Sequence, residues 1–278
     1  MMTVFKNSIL SCFIVIVAFC SGSVRAVSTC TEARQPPAQD QDTHAQIAKP
    51  PVEQIVDRYV EALGGIDAAR GVFTIKGTGT FELVEQGISG DIEFHAKAPN
   101  LYALSLRTRD DSVFITQAFD GSVGWERAMR VNRGRVDFRE IKGAELEQLK
   151  LNADFGHDLR LKELYPSMTL IGLEKVEDRD TYLIEASPLT GNAEAMYFDK
   201  QSGLLLRRVM IQATAQGKKL LEISYGDYRV LTGTKKLKVA FSQTLVFPGK
   251  GEQNLKISLT EARANEEVPD SIFSPPRR

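Results

Sequence analysis

"ISGDIEFHAKAPNLYALSLRT" (88–108) is the stretch that decides the fold. Apolar Ile88, Ile92, Phe94 and Ala96 alternate with Ser89, Asp91, Glu93, His95 and Lys97. Pro99 and Asn100 interrupt, and Tyr102, Leu104 and Leu106 then share one face of the next run. A period of two gives each run a dry face and a wet face, the mark of antiparallel strands joined by turns. On that alternation His95 is a solvated residue of the wet face.

The pattern extends in both directions. Upstream, "VFTIKGTGTFEL" (72–83) alternates Phe73, Ile75 and Phe81 with Thr74, Lys76, Thr78 and Thr80. Downstream, "SVFITQAF" (112–119) runs into Asp120-Gly121, a strong hairpin signal, and "SVGWERAM" (122–129) returns. The return strand holds the only tryptophan, Trp125. Two readings stand for it, a core residue beside the hairpin or a residue lining a cavity, and both face it inward. The alternation resumes in "TYLIEAS" (181–187), "EAMYFDKQSGLLLRRVMI" (194–211), "LLEISYGDYRV" (220–230), "LKVAFSQTLVF" (237–247) and "LKISLTEA" (255–262). "DKQSG" (199–203) and "FPGKGEQ" (247–253) are turn clusters.

Two segments have a helical period. In "PPVEQIVDRYVEALGG" (50–65), Val52, Ile55, Val56, Tyr59, Val60 and Leu63 form one apolar stripe, entered through Pro50-Pro51 and left through Gly64-Gly65. "KGAELEQLKLNADFGHDLRLKELYP" (142–166) reads as one or two helices ended by Pro166. The whole is one α+β domain over 50–274, a large curved antiparallel sheet of about ten or eleven strands covered by a few helices. Helices on one face leave the concave side partly open, which is where small-ligand cavities form.

The ends read differently. Residues 1–26 combine Lys6, the apolar run "ILSCFIVIVAFC" (9–20) and small Val24 and Ala26 at the exit, a secretory signal peptide. Its apolar run is shorter than the roughly 18 residues of a membrane span. Residues 27–49 are polar with a Pro-Pro pair, a disordered linker, and 275–278 are a frayed tail. Of the three cysteines only Cys30 lies outside the leader, so no internal disulfide forms. Neither Cys20 nor Cys30 follows the small residue that lipidation favours, which makes this a soluble periplasmic protein with at most peripheral membrane contact. The chain carries 35 basic and 36 acidic residues, and losing the leader removes Lys6 and Arg25. That balance requires no strongly basic face, so no nucleic-acid partner is expected.

The residues of common enzyme sites are not assembled. His44, His95 and His157 are isolated, without H-x-H, H-E-x-x-H or C-x-x-C spacing, so no metal is expected. "DGSVG" (120–124) lacks the glycine of a nucleophile elbow, and "GTGTFE" (77–82) lies within a strand. No catalysis and no cofactor are expected.

The helix "VDRYVEALGG" (56–65), "KAPN" (97–100), "AFDGSVGW" (118–125), "YFDKQSGLLLRR" (197–208) and "YGDYRV" (225–230), in that order, resemble the outer-membrane lipoprotein-sorting proteins. That family contains the LolA-like periplasmic carrier and the LolB-like outer-membrane receptor. The resemblance covers roughly residues 52–274. It implies a half-open β-barrel closed over by helices around a hydrophobic cavity for acyl chains, with Gly77 and Gly79 letting the sheet bend. By similarity, the wall is formed by Ile92, Phe94, Leu104, Leu106, Ile115, Trp125 and Tyr182, with Ile223, Val239 and Phe241 opposite. The "VDRYVEALGG" helix also resembles a segment accompanying secreted pitrilysin-type zinc peptidases, whose H-x-x-E-H site is absent here. The function implied is non-catalytic binding of lipid or lipoprotein acyl chains, in outer-membrane lipoprotein sorting. The alternative is an envelope protein-interaction or sensing module with a solid core.

Overall fold

The stripe read at 52–63 is the inner face of helix α1 (Val52–Ala62), where Ile55, Val56 and Tyr59 are buried. Leu63 continues that face, and its carbonyl accepts a hydrogen bond from the Lys238 backbone N–H at 2.7 Å, which ties the helix end to the sheet. A single-turn helix, α2 (Ile66–Ala69), follows. This computed structural model describes residues 50–189, 191–214, 217–248 and 253–276. The expectations for a leader over 1–26, a linker over 27–49, Cys30 and the last two residues of the tail fall outside the described residues.

Antiparallel strands β1 (Thr74–Leu83), β2 (Ile88–Lys97), β3 (Leu101–Thr108), β4 (Val113–Phe119), β5 (Gly124–Arg130) and β6 (Arg135–Ile141) form a meander. Helices α3 (Gly143–Ala153) and α4 (Leu161–Leu164) come next. Strands β7 (Ser167–Val176), β8 (Arg179–Ser187), β9 (Glu194–Asp199), β10 (Leu205–Thr214), β11 (Gly217–Val230), β12 (Lys238–Phe247) and β13 (Gln253–Ala264) form a second meander. The halves join where β13 pairs with β1, giving one sheet in the order β6-β5-β4-β3-β2-β1-β13-β12-β11-β10-β9-β8-β7.

Among the described residues the sheet has thirteen strands, where about ten or eleven were expected, and the two that sequence reading missed, β6 and β7, are its two edges. An edge strand packs against one neighbour only. Here that dilutes the alternation: along β6 only Ile141 is buried, and along β7 only Val176. The sheet is not closed. The segment 142–166 runs between the two edges, and α3 touches β3 and β4 on one side and β10 on the other. It therefore roofs the concave face.

Local contacts fix that roof. Arg139 on β6 donates to Glu145 of α3 at 2.8 Å and to buried Glu126 of β5 at 3.2 Å. Leu149 and Ala153 pack on Phe119 and Ile141, and the Phe155 N–H reaches the Pro99 carbonyl at 3.2 Å. The bend of the sheet is visible at Gly79, beside a register shift in the β1–β13 pairing. A Cβ there would lie 2.2 Å from the Ser258 carbonyl oxygen, so only glycine permits the approach.

Apolar packing is concentrated at the two ends of the concave face. Under α1, Ile55, Val56, Tyr59 and Leu63 meet Ile184, Met196, Phe198 and Leu205. At the other end, Phe81, Leu83, Ile92, Leu106, Val113, Ile115 and Leu255 pack together. A third cluster, with Leu231, Leu237, Phe241 and Ala262 packed near Phe155 and Leu159 of the roof, lies beside them, and a hollow remains among the three.

Candidate functional site

A cavity of about 550 Å³ lies between the concave face and the roof. That is within the roughly 300–1,000 Å³ range of ligand pockets. Ile75, Ile92, Phe94 and Leu104 line it from β1–β3, and Met210, Leu221, Ile223, Val239, Phe241, Leu245, Ile257 and Leu259 from β10–β13. Tyr59 and Leu63 of α1 close one side, and Leu151, Phe155 and Leu159 of the roof cover it. Strand β11 contributes residues from Lys219 to Tyr228. At about 3.3 Å per residue the stretch from Lys219 to Tyr225 alone spans roughly 20 Å. The cavity is long and mostly apolar.

Six of the ten residues named from sequence line this cavity: Ile92, Phe94, Leu104, Ile223, Val239 and Phe241. The other four do not. Leu106 and Ile115 point to the same face but do not line the cavity; they pack with Phe81 and Val113 in the end cluster, whose other members Ile92 and Leu255 reach the hollow. Tyr182 packs against the cluster beneath α1, with the Lys200 ammonium 5.9 Å from its ring centroid.

Trp125 is on the opposite, convex face. Gly124 faces α3, since a Cβ there would meet Leu146 and Leu149 at 2.8 and 2.9 Å. Alternation then turns Trp125 outward. It is nonetheless only 5% exposed, because the chain after β13 crosses that face and packs Val268 and Phe273 on Ala103, Ala118 and Trp125. Its indole N–H donates to the Phe273 carbonyl at 2.7 Å. The hairpin reading was right and the inward direction was not.

His95 needs a similar correction. It lies on the convex face as the alternation requires, yet it is buried, with Nε2 3.1 Å from a Glu93 oxygen and Nδ1 unpartnered among the described residues. The same C-terminal segment crosses here, with Asp270 paired to Lys97 at 2.6 Å. Burial lowers the His95 pKa, against the opposing pull of Glu93.

At the α1 end the cavity turns polar, a feature sequence reading missed. Arg208 of β10 bonds through Nε to Glu194 and through Nη2 to the Tyr165 hydroxyl. Tyr165 in turn donates to Glu194 at 3.2 Å, and its hydroxyl lies 3.4 Å from His157 Nε2. The other His157 nitrogen, Nδ1, is 3.4 Å from a carboxylate oxygen of Asp158. His157, Asp158, Arg208, Tyr225 and Tyr228 all line the cavity. Burial would raise the Asp158 pKa, but His157 and the Arg208 charge hold it below the usual carboxylate range. Burial pushes Tyr225 up to about 12. One signal was present in the sequence: Arg208 alternates with Met210 on the dry face of β10, and a charge there needs a buried partner.

Among the described residues no group of three or more His, Cys, Asp or Glu side chains is placed to hold a metal ion. No helix among them is long and apolar enough to cross a membrane.

No protein-family model and no curated protein matches the sequence. Solved structures do match in shape. An outer membrane lipoprotein-sorting protein domain from Vibrio parahaemolyticus aligns with a TM-score of 0.50 at 12% identity, over 80% of this chain and 96% of that one. A DUF1329 family protein from Desulfovibrio piger aligns with a TM-score of 0.54 at 13% identity, over 81% and 98%. A LolA superfamily protein from Nitrosomonas europaea aligns with a TM-score of 0.50 at 10% identity, over 82% and 99%. The chain has the fold shared by the LolA-superfamily and outer membrane lipoprotein-sorting proteins, as the resemblance of its motifs led us to expect.

Proposed function

We propose that this protein is a non-catalytic periplasmic binder of lipid or lipoprotein acyl chains, acting in the sorting of lipoproteins to the outer membrane. The observation that carries the reading is the elongated cavity of about 550 Å³ between a concave apolar sheet and a helical roof. Each methylene moved from water into such a space contributes about 0.8 kcal/mol, so a long chain binds by burial without a polar anchor. The LolA-superfamily fold and the signal-like residues 1–26 support the setting. A sensing module with a solid core fits less well, because the concave face is hollow.

A fluorescent long-chain probe whose emission rises on leaving water tests the reading. Saturable binding to the protein supports it when Leu104→Asp, which puts a charge on the wall, weakens that binding in a folded variant. Equal binding by both proteins, or none by either, would refute it.

A further inference from the structure

One corner of the sheet carries positive charge that its own carboxylates do not cancel. It is built from the turn joining β3 to β4 and the turn joining β5 to β6, which lie at the same end of the first meander, and from the strand halves beside them. Residues 105–116 and 127–138 hold six arginines and three aspartates, in a chain whose overall charge is −1. Asp111 takes two hydrogen bonds from Arg107, and Asp137 is shared by Arg130 and Arg135. Asp110 is held by the hydroxyls of Thr108 and Ser112. Arg109, Arg127 and Arg133 are exposed and have no ion-pair partner among the described residues. With Asp91, opposite Arg107 on β2, the corner still sets six arginines against four aspartates.

The same corner exposes apolar side chains. Val131 at the tip and Val136 on β6 are each 52% exposed, and Phe138 is 41% exposed. Cross-strand pairing puts Val136 beside Met129 and Phe138 beside Arg127 on the convex face, along the edge strand of the sheet. On a convex face such side chains project; they do not enclose the anchoring residue of a protein partner. A fluid bilayer conforms to a projecting surface. Its head-group region accepts the apolar side chains, while arginines beside them stay level with the lipid phosphates. A second copy fits less well, because a two-fold contact through this edge brings the same arginines against one another.

We propose that the β5–β6 hairpin, with the β3–β4 turn beside it, docks this protein on an anionic lipid bilayer. Val131, Val136 and Phe138 enter the interface, and Arg109, Arg127 and Arg133 meet the lipid phosphates. The surface lies outside the sheet and does not depend on what the cavity holds.

Flotation of the protein, purified from a bacterial periplasm, tests the docking with vesicles of phosphatidylcholine alone or with roughly a quarter phosphatidylglycerol. Binding to the anionic vesicles is expected to be at least about tenfold stronger, and to weaken as salt is raised to roughly 0.5 M. Arg127→Gln combined with Arg133→Gln should lower it about tenfold, and Val131→Asp by a similar factor. All three positions are exposed, and circular dichroism checks that the variants fold. The arginine variant should bind a long-chain probe as the parent does, and Leu104→Asp should bind vesicles as the parent does, so the docking surface and the cavity reading fail separately. Equal binding to both kinds of vesicle, binding to neither, or binding that survives these surface substitutions would overturn the proposal. Loss of vesicle binding in folded Leu104→Asp would overturn it too, by assigning the contact to the cavity. A protein that ignores vesicles and forms a dimer dissociated by Val131→Asp would give the patch to a second copy and overturn the bilayer.

Discussion

The Phe94 ring fills the space that a side chain at residue 77 would need. A Cβ built on Gly77 would lie 2.0 Å from Phe94 Cε1, so the ring of β2 lies across the backbone of β1. Phe94 also lines the cavity, and its position there depends on its neighbour having no side chain. Gly77→Val should push the ring off the strand and into the hollow. Long-chain probe binding is expected to weaken by roughly tenfold, as a filled pocket rejects its ligand, while the sheet still folds. Titration of the probe, with circular dichroism as the folding check, measures both. Unchanged affinity in the folded variant would show that Phe94 does not bound the bound chain.

The tryptophan offers an internal reporter. Because Trp125 sits on the convex face beneath Phe273, its emission should be that of a buried indole and should not change when a long-chain ligand fills the cavity. A residue on the cavity wall would respond. Strong quenching by a chain that carries a heavy atom would contradict the placement.

The clasp over Trp125 should contribute to stability and not to binding. Trp125→Phe removes the indole hydrogen bond and leaves the Phe273 carbonyl without that donor, at a cost of about 1–2 kcal/mol including the lost volume. Urea unfolding should show the loss, and probe affinity should match the parent. A fall in affinity without a fall in stability would mean that the convex face reaches the cavity.

His95 gives the fold a pH dependence. Its pKa is lowered in the folded state, so below its ordinary value near 6.5 the unfolded chain takes up the proton more readily. Stability from this group is complete above that value and is lost as pH falls toward the folded pKa. Urea midpoints measured from pH 8 to pH 5 should decline, and His95→Gln should flatten that decline. An identical slope in the variant would assign the effect to other groups.

These placements show how far a sequence can be read. Strands packed on both sides, such as β2 and β3, showed their faces plainly, and Ile92, Phe94 and Leu104 line the hollow as alternation within one strand requires. Alternation does not say where along a face the packing ends and the hollow begins. That is why Leu106, paired directly with the wall residue Ile92, and Ile115, paired with Leu106, pack in the end cluster and do not line the cavity. Nor does it say which face a later segment will cover. Trp125 is buried by Val268 and Phe273, far away in the chain, and local polarity could not report that. The Asp158 end escaped for a related reason: its parts come from α1, the roof, β10 and β11 and meet only when the sheet curls.

Native mass spectrometry of the protein, purified from a bacterial periplasm without detergent, tests the central claim most directly. The account predicts an added mass in the lipid range, released by organic solvent and lost in Leu104→Asp. A clean unliganded mass that stays unchanged after incubation with lipid would contradict it, and the hollow between sheet and roof would then hold only water.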